Sequence, residues 1–238
     1  MNDLKIRCSA IHKIMGYPNK NVLPQGAKTY IKALHKELRL GIKPDFWSKA
    51  ITKGNECELD TIKLADTVLK WKLPFNILEG MSEQIEHENE YLTGHTDVLT
   101  KTVLAEVKTS WDANTFPMYE DDNYNKNYKW QCMGYLALTG FDKMDLVYGL
   151  VNTPDKIMKD EIRREHWRQD SVWQGDEDEE IINAVESRHE VNHIPNKIRL
   201  RHWIIERDEE QIQQIYNRVE LCREYWSGLD EYLKTKTK

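Results

Sequence analysis

The stretch over residues 94–110, GHTDVLTKTVLAEVKTS, constrains this chain more than any other. Apolar residues flank a break at Thr100-Lys101, which reads as two short strands joined by a turn. Side chains alternate between the faces of a strand, so Glu106 and Lys108 point one way and Val107 points into a core. Asp97 ends the apolar run of the first strand. Two carboxylates on neighbouring strands, with a lysine beside them, make a candidate site for a divalent cation. The E-x-K triplet alone carries little, because about one is expected by chance in a chain of this size.

Composition sets the frame for that site. A length of 238 residues suits one ordinary domain with a real core, and 39% apolar against 31% charged residues is globular rather than disordered. No apolar run approaches the roughly 20 residues of a membrane span, and residues 1–16 lack a secretory pattern. The chain is therefore expected in the cytoplasm, with no membrane partner. Cys8, Cys57, Cys132 and Cys222 are scattered without CxxC spacing, which predicts reduced, partly buried thiols and no zinc site. A net charge of −6 excludes a generally basic nucleic-acid coat but allows a local basic channel.

The predicted elements alternate. A short helix spans residues 7–16 with Ser9 as its cap, a loop covers 17–25, and a helix over 29–40 stops at Gly41. A connector turns at Pro44-Asp45 before a long helix over 48–70. Strands are read over 81–87, 91–99 and 102–109, with a turn at Glu88-Asn89. A polar loop over 111–125, with an acidic run at Glu120-Asp121-Asp122, leads to a helix over 124–139 that is apolar nearly all round and ends at Gly140. A strand over 143–151 and a charged helical excursion over 155–180 follow, and the acids at 176–180 suit the start of the next helix. A strand over 198–206 and a helix from Arg207 to about Tyr232 complete the chain. The order predicts an α/β domain with one mixed central sheet flanked by helices.

Two further positions join the opening stretch. In the long helix, Glu58, Ile62, Ala65 and Leu69 share one stripe, whereas Glu56 lies on a polar face. A carboxylate on an apolar stripe either snorkels to solvent or is paired or holds a metal. Gln131 lies on the central helix with Tyr128, Tyr135 and Leu138 on its face, as an active-site amide or one satisfied in the core. A hard cation such as Mg²⁺, with Mn²⁺ as substitute, would find oxygen ligands in Glu58, Asp97, Glu106 and the main-chain carbonyl of Val107. The chemistry such a site serves is phosphodiester hydrolysis, with Lys108 either handling the attacking water or neutralising charge on the phosphate. Burial and nearby cations lower the pKa of such a lysine and carboxylates raise it; the sequence leaves the balance open.

These residues resemble the PD-(D/E)XK nuclease superfamily, within it the RecB/YqaJ-like branch of lambda-type phage exonucleases. The residues Gly94-His95-Thr96-Asp97 and Ala105-Glu106-Val107-Lys108 match its core motif, with Thr96 where the superfamily name has proline. Gly54-Asn55-Glu56-Cys57-Glu58 is similar to the upstream G-x-x-x-E, and residues 128–135 to the later helix carrying a glutamine. Residues 6–10 resemble the segment whose serine holds a terminal DNA phosphate, and 202–209 the last strand entering the C-terminal helix. The resemblance implies one restriction-endonuclease-like domain over 1–238: a helical part about 1–75, a catalytic core about 76–210 and a C-terminal helix about 208–232. It implies Mg²⁺-dependent 5′ to 3′ degradation of double-stranded DNA from its ends in phage-type recombination, encoded by a phage or prophage of a bacterial host. Catalytic residues would be Glu58, Asp97, Glu106, Lys108 and Gln131, with Arg7, Ser9, Ser110 and Trp111 on the DNA. A single-strand annealing partner and a ring trimer come by the same resemblance; an iron–sulfur cluster does not, since only Cys222 is late in the chain. Other readings of the same fold are an endonuclease or end-processing subunit and a catalytically silent DNA-binding protein.

Some positions stay open. Ser9 is a plain cap, a phosphate contact or both. His95 is a weak ligand candidate. Arg199 and Arg201, with Lys197 close by, are a solvated sheet edge or phosphate contacts. The eight tryptophans are expected mostly in the core, Trp111 excepted, which could stack on a DNA end.

Overall fold

The structure is a computed structural model and describes residues 4–43, 48–81, 85–119, 123–168 and 179–236. In chain order it contains β1 (Ile6–Arg7), a 3-10 turn (Cys8–Lys13), α1 (Gln25–Leu40), α2 (Lys49–Leu69), the single-turn α3 (Phe75–Leu78), β2 (Glu86–Glu88), β3 (Leu92–His95), β4 (Val98–Leu99) and β5 (Leu104–Thr109). Then come α4 (Lys126–Thr139), β6 (Lys143–Gly149), α5 (Asp155–Arg168), α6 (Glu179–His189), β7 (Leu200–Glu206) and α7 (Glu209–Lys236).

The architecture is α/β, with mixed sheets flanked by helices, as the alternation predicts. Its strands form two ladders rather than one, β1-β3-β2 and β4-β5-β6-β7. The segment read as one strand over 91–99 breaks at Thr96-Asp97, and its halves join different ladders. The physical reason is local. The Asp97 carboxylate accepts the backbone N–H of Val107 at 2.7 Å, so a side chain replaces the next backbone rung of β5 and frees the chain to turn away.

In the larger ladder, β5 and β6 run parallel, joined through α4, and β7 returns antiparallel on the edge. Alternation gives each face a different cover. Ala105 and Val107 meet Ile62 of α2, and Val147 meets Cys57, Leu64 and Ala65 of the same helix. Leu104, Leu146 and Ile205 pack on the other face with Met133 and Leu136 of α4, Ile6 and Ile11 from the N-terminal segment, and Ile215 and Val219 of α7. Glu106 and Lys108 thus face the α4 side. Two glycines permit the closest approaches. A Cβ on Gly149 of β6 would lie 2.3 Å from Cγ2 of Thr61 on α2, and one on Gly134 of α4 would lie 2.5 Å from Cδ1 of Ile11.

Helix limits follow capping chemistry. The Ser48 side chain accepts the Ile51 N–H, Asn125 accepts that of Asn127, and Gly41 and Gly140 close α1 and α4 in the left-handed region. Helix α1 begins four residues before its predicted start of Thr29, because Pro24 has helix-compatible φ and its carbonyl accepts the Lys28 N–H at 3.0 Å. The N-terminal segment is a 3-10 turn, and Ser9 lies inside it and exposed; the cap position is Arg7, which makes no side-chain capping bond.

Other expectations need correction. Only Trp226 is fully buried among the described tryptophans; Trp71, Trp111, Trp130 and Trp203 are half-buried and Trp167 is 83% exposed. Arg199 is buried rather than solvated on an edge, because its guanidinium is shared among Leu150 O, Ile194 O, Asn192 and Asn196. Of the strand read over 81–87, Met81 and Ile85 are not in a strand, and β2 runs on to Glu88, the first residue of the predicted turn. Residues 82–84, the Pro44-Asp45 turn, Trp47, Trp173, the acids at 120–122 and those at 176–178 lie outside the described residues. The four cysteines are free and buried. No helix among the described residues is long and apolar enough to cross a membrane.

Candidate active site

Four elements converge on the end of β5. Glu106 is 1% exposed, and its Oε1 receives both the Lys108 amine and the Gln131 amide, the latter at 2.7 Å. Gln131, on the buried face of α4, also donates to the Tyr135 hydroxyl at 3.2 Å. It is therefore satisfied by side chains of the site, not by the backbone. Lys108 lies 4.8 Å from the centroid of the Tyr128 ring. Asp97 stands at the edge of β5 that β4 has vacated. The N–H and C=O of one residue leave a strand on the same side, so the Val107 carbonyl points toward that edge too.

Glu58 enters from α2, half-buried and within electrostatic reach of Asp97 and Lys108. The buried face of that helix is centred on Lys53, Cys57, Thr61 and Ala65, so the predicted stripe is offset and Glu58 flanks it. The exposed Glu56 takes no part.

The electrostatics of this cluster are those of three acids sharing one amine. Burial, then repulsion by Asp97, pushes the Glu58 carboxyl up to about 7 against the pull of Lys108. Burial and Asp97 likewise push Glu106 up to about 8, again opposed by Lys108. Burial raises Asp97, partly offset by Lys108 and the Val107 N–H. Burial alone would lower Lys108, but Glu106 and Asp97 outweigh it and hold the amine above the usual lysine range. The balance left open by the sequence falls on the side of a protonated lysine.

Such a cluster is short of positive charge. The Oε2 of Glu106 is buried with no hydrogen-bond partner among the described residues, an orphaned carboxyl oxygen. Among the described residues no three His, Cys, Asp or Glu side chains are gathered into a ready-made metal cage. Mg²⁺ takes one or two protein carboxylates and fills its remaining positions with water and substrate phosphate, so the observation that bears on a cation here is the orphaned Glu106 Oε2. The donor set fits a hard cation, with Glu106, Asp97, Glu58 and the Val107 carbonyl as the available oxygens.

The predicted DNA contacts divide. Arg7 and Ser9 are exposed at the start of the 3-10 turn. Ser110 is 6% exposed, because its N–H continues the ladder onto Gly149 O; as placed, its hydroxyl is inaccessible to a ligand. Trp111 is half-buried edge-on to His189, its carbonyl accepting the Lys53 amine at 2.7 Å. His95 stands opposite Glu86 in the smaller ladder. Sequence reasoning missed Lys53, which is 1% exposed and whose amine burial pushes down to about 8. Its spacing of four from Cys57, itself four from Thr61, was the available signal.

No family model matches this sequence, and no curated protein matches it. Among solved structures the fold defines a class: the chain has the fold of the phage-type exonucleases, the recognition to which its motifs point. It is similar to the phage-related exonuclease from Haemophilus somnus 129PT, with 27% identity, 97% of each chain covered and a TM-score of 0.74. It also shares its fold with the alkaline exonuclease LHK-Exo from Laribacter hongkongensis, at 16% identity over 98% of this chain and 93% of that one, with a TM-score of 0.64. The complex of LHK-Exo with dAMP matches with a TM-score of 0.60.

Proposed function

We propose that this chain is a Mg²⁺-dependent deoxyribonuclease, an exonuclease that degrades linear double-stranded DNA from its ends in the 5′ to 3′ direction. The exonuclease neighbours support a nuclease function, and the dAMP complex of one of them supports a nucleotide as the class of ligand. The observation that carries the reading is the grouping of buried Glu106 with half-buried Glu58 and Asp97 around the amine of Lys108, with Glu106 Oε2 left without a donor. A divalent cation, which Glu58, Asp97, Glu106 and the Val107 carbonyl would hold, would supply a water of lowered pKa and offset charge on the phosphate. The protein's own groups do the rest. Gln131 fixes Glu106, and Glu106 in turn fixes the Lys108 amine. That amine, which Glu106 and Asp97 hold above the usual lysine range, is placed to neutralise charge that develops on the phosphate. The hydrogen bond from Val107 locks Asp97 at the strand edge. By resemblance, we assign the activity to phage-type recombination in the cytoplasm of a bacterial host, beside a single-strand annealing protein and with a ring trimer as the assembly.

A time course with Mg²⁺ on 5′-phosphorylated linear, 5′-hydroxyl linear and closed circular duplexes tests this. Linear substrate is expected to disappear while the circle persists. Cutting of the circle would make the protein an endonuclease, and survival of all three would overturn the nuclease reading. Lys108→Ala is expected to retain the circular dichroism spectrum and lose at least about 100-fold in cleavage rate. Glu106→Ala should lose Mn²⁺ binding by calorimetry, and tight binding retained would contradict the ligand set.

A further inference from the structure

Register on the larger ladder aligns three side chains in one row. Lys108 of β5 is paired with Tyr148 of β6, and Tyr148 with Arg201 of β7. Paired residues on adjacent strands project to the same face, so a cation, an aromatic ring and a second cation cross the sheet side by side, at steps of about 4.8 Å. Aromatic rings line both sides of the row. Tyr128 and Tyr148 are 6.0 Å apart, Tyr148 and Trp203 5.5 Å, and all three are half-buried.

Arg201 is the informative member. Its guanidinium lies 5.2 Å from the Trp203 ring centroid, and its Nε is buried without an acceptor. Its side chain forms no hydrogen bond or ion pair among the described residues. Its neighbour two positions earlier, Arg199, makes four hydrogen bonds that explain it structurally. Edge-to-face ring packing alone accounts for the tyrosines and the tryptophan. It does not account for an arginine left without an anion on an acidic protein, in the same row as Lys108.

We infer that the row Lys108–Tyr148–Arg201, with Tyr128 and Trp203 beside it, is a track for a single DNA strand running from the cleavage site to the β7 edge. Arg201 takes a backbone phosphate, and the rings take unpaired bases on their faces, a combination that binds single strands without reading their sequence. The inference deepens the nuclease reading, from which it takes the position of the cut.

The test uses the full chain in chelator, so that nothing is cut, and follows fluorescence anisotropy of a short labelled oligothymidine and of an abasic chain of equal length. Wild type is expected to prefer the oligothymidine. Arg201→Gln should lower the salt dependence of log affinity by about 0.7, the share of one single-strand phosphate, and Arg201→Lys should restore it. Trp203→Leu should cut the preference for bases over abasic chain by about five-fold or more. A wild-type protein without that preference, or an Arg201→Gln protein that is folded and keeps the wild-type salt dependence, overturns the track; the second criterion stands even where Trp203→Leu does not fold. Cleavage of linear duplex with Mg²⁺ is assayed on the same preparations. Cleavage with unaltered oligonucleotide binding sinks the track alone, whereas absence of cleavage by wild type sinks the nuclease reading beneath it.

Discussion

Glu106 is an acid enclosed by protein, and its environment gives the fold a pH dependence of definite sign. The folded state holds its carboxyl up at about 8, whereas an unfolded chain releases that proton near the ordinary glutamate value. Between those limits the folded protein keeps a proton the unfolded chain has lost, so stability falls as pH rises and the loss is complete above about 8. Glu58, raised to about 7, adds a change of the same sign. Without divalent cations, the melting temperature is therefore expected to fall between about pH 5 and 8. Glu106→Gln should flatten that slope and melt about 3 °C or more above wild type at pH 8. Added Mg²⁺ should raise wild type at pH 8 by mass action and leave Glu106→Gln nearly unmoved. A wild-type melting temperature that is flat with pH would contradict the assignment. At this scale Glu106 and Lys108 were legible because strand alternation is strict, Asp97 because it closes an apolar run, and Gln131 because its face of α4 could be phased. Lys53 was hidden by its own chemistry: a lysine reads as a surface residue, and only its helical neighbours indicate that it is enclosed.

Helix α2 and strand β6 touch where Gly149 leaves no side chain in the way of Thr61, and that contact sets how Glu58 on α2 meets the acids of the sheet. Gly149→Ala would force its Cβ to within 2.3 Å of Thr61 Cγ2, so the helix must move or the rotamer strain. The expected cost is about 1–3 kcal/mol in urea unfolding, with a loss of cleavage, because Glu58 travels with the helix. Thr61→Ser deletes the offending methyl, so the double variant should recover most of the stability; failure to recover would show that the glycine matters for another reason. Most elements were legible from caps, glycines and periodicity, as Ser48, Gly41 and Gly140 illustrate. The division into two ladders was not. It depends on the Asp97 carboxylate replacing a backbone rung on Val107, a contact between residues ten apart that local patterning does not encode. The 3-10 form of residues 8–13 escaped for a similar reason: it is set by tight packing on Gly134 rather than by a cap at Ser9.

At the scale of the molecule, the two ends of the chain depend on each other. Arg218 of α7 is buried and donates to the carbonyls of Tyr17, Lys20 and Val22, holding the loop that follows the 3-10 turn. Arg218→Met fills much of the same volume but strands three carbonyls, and is expected to cost about 3 kcal/mol in urea unfolding, nearly independent of salt because the partners are uncharged. An effect that fades in high salt would point to ion pairing instead. His35 on α1 pairs with Asp230 at 2.8 Å, and Arg223 reaches Leu4 O at 3.1 Å, so the C-terminal helix is part of the frame that supports β1. β1 itself pairs with β3, more than eighty residues later in sequence. Tyr17, beside the segment packed behind Gln131 and Glu106, is held by Arg218 from 201 positions along the chain, so damage to α7 far from the acids would be felt in the site.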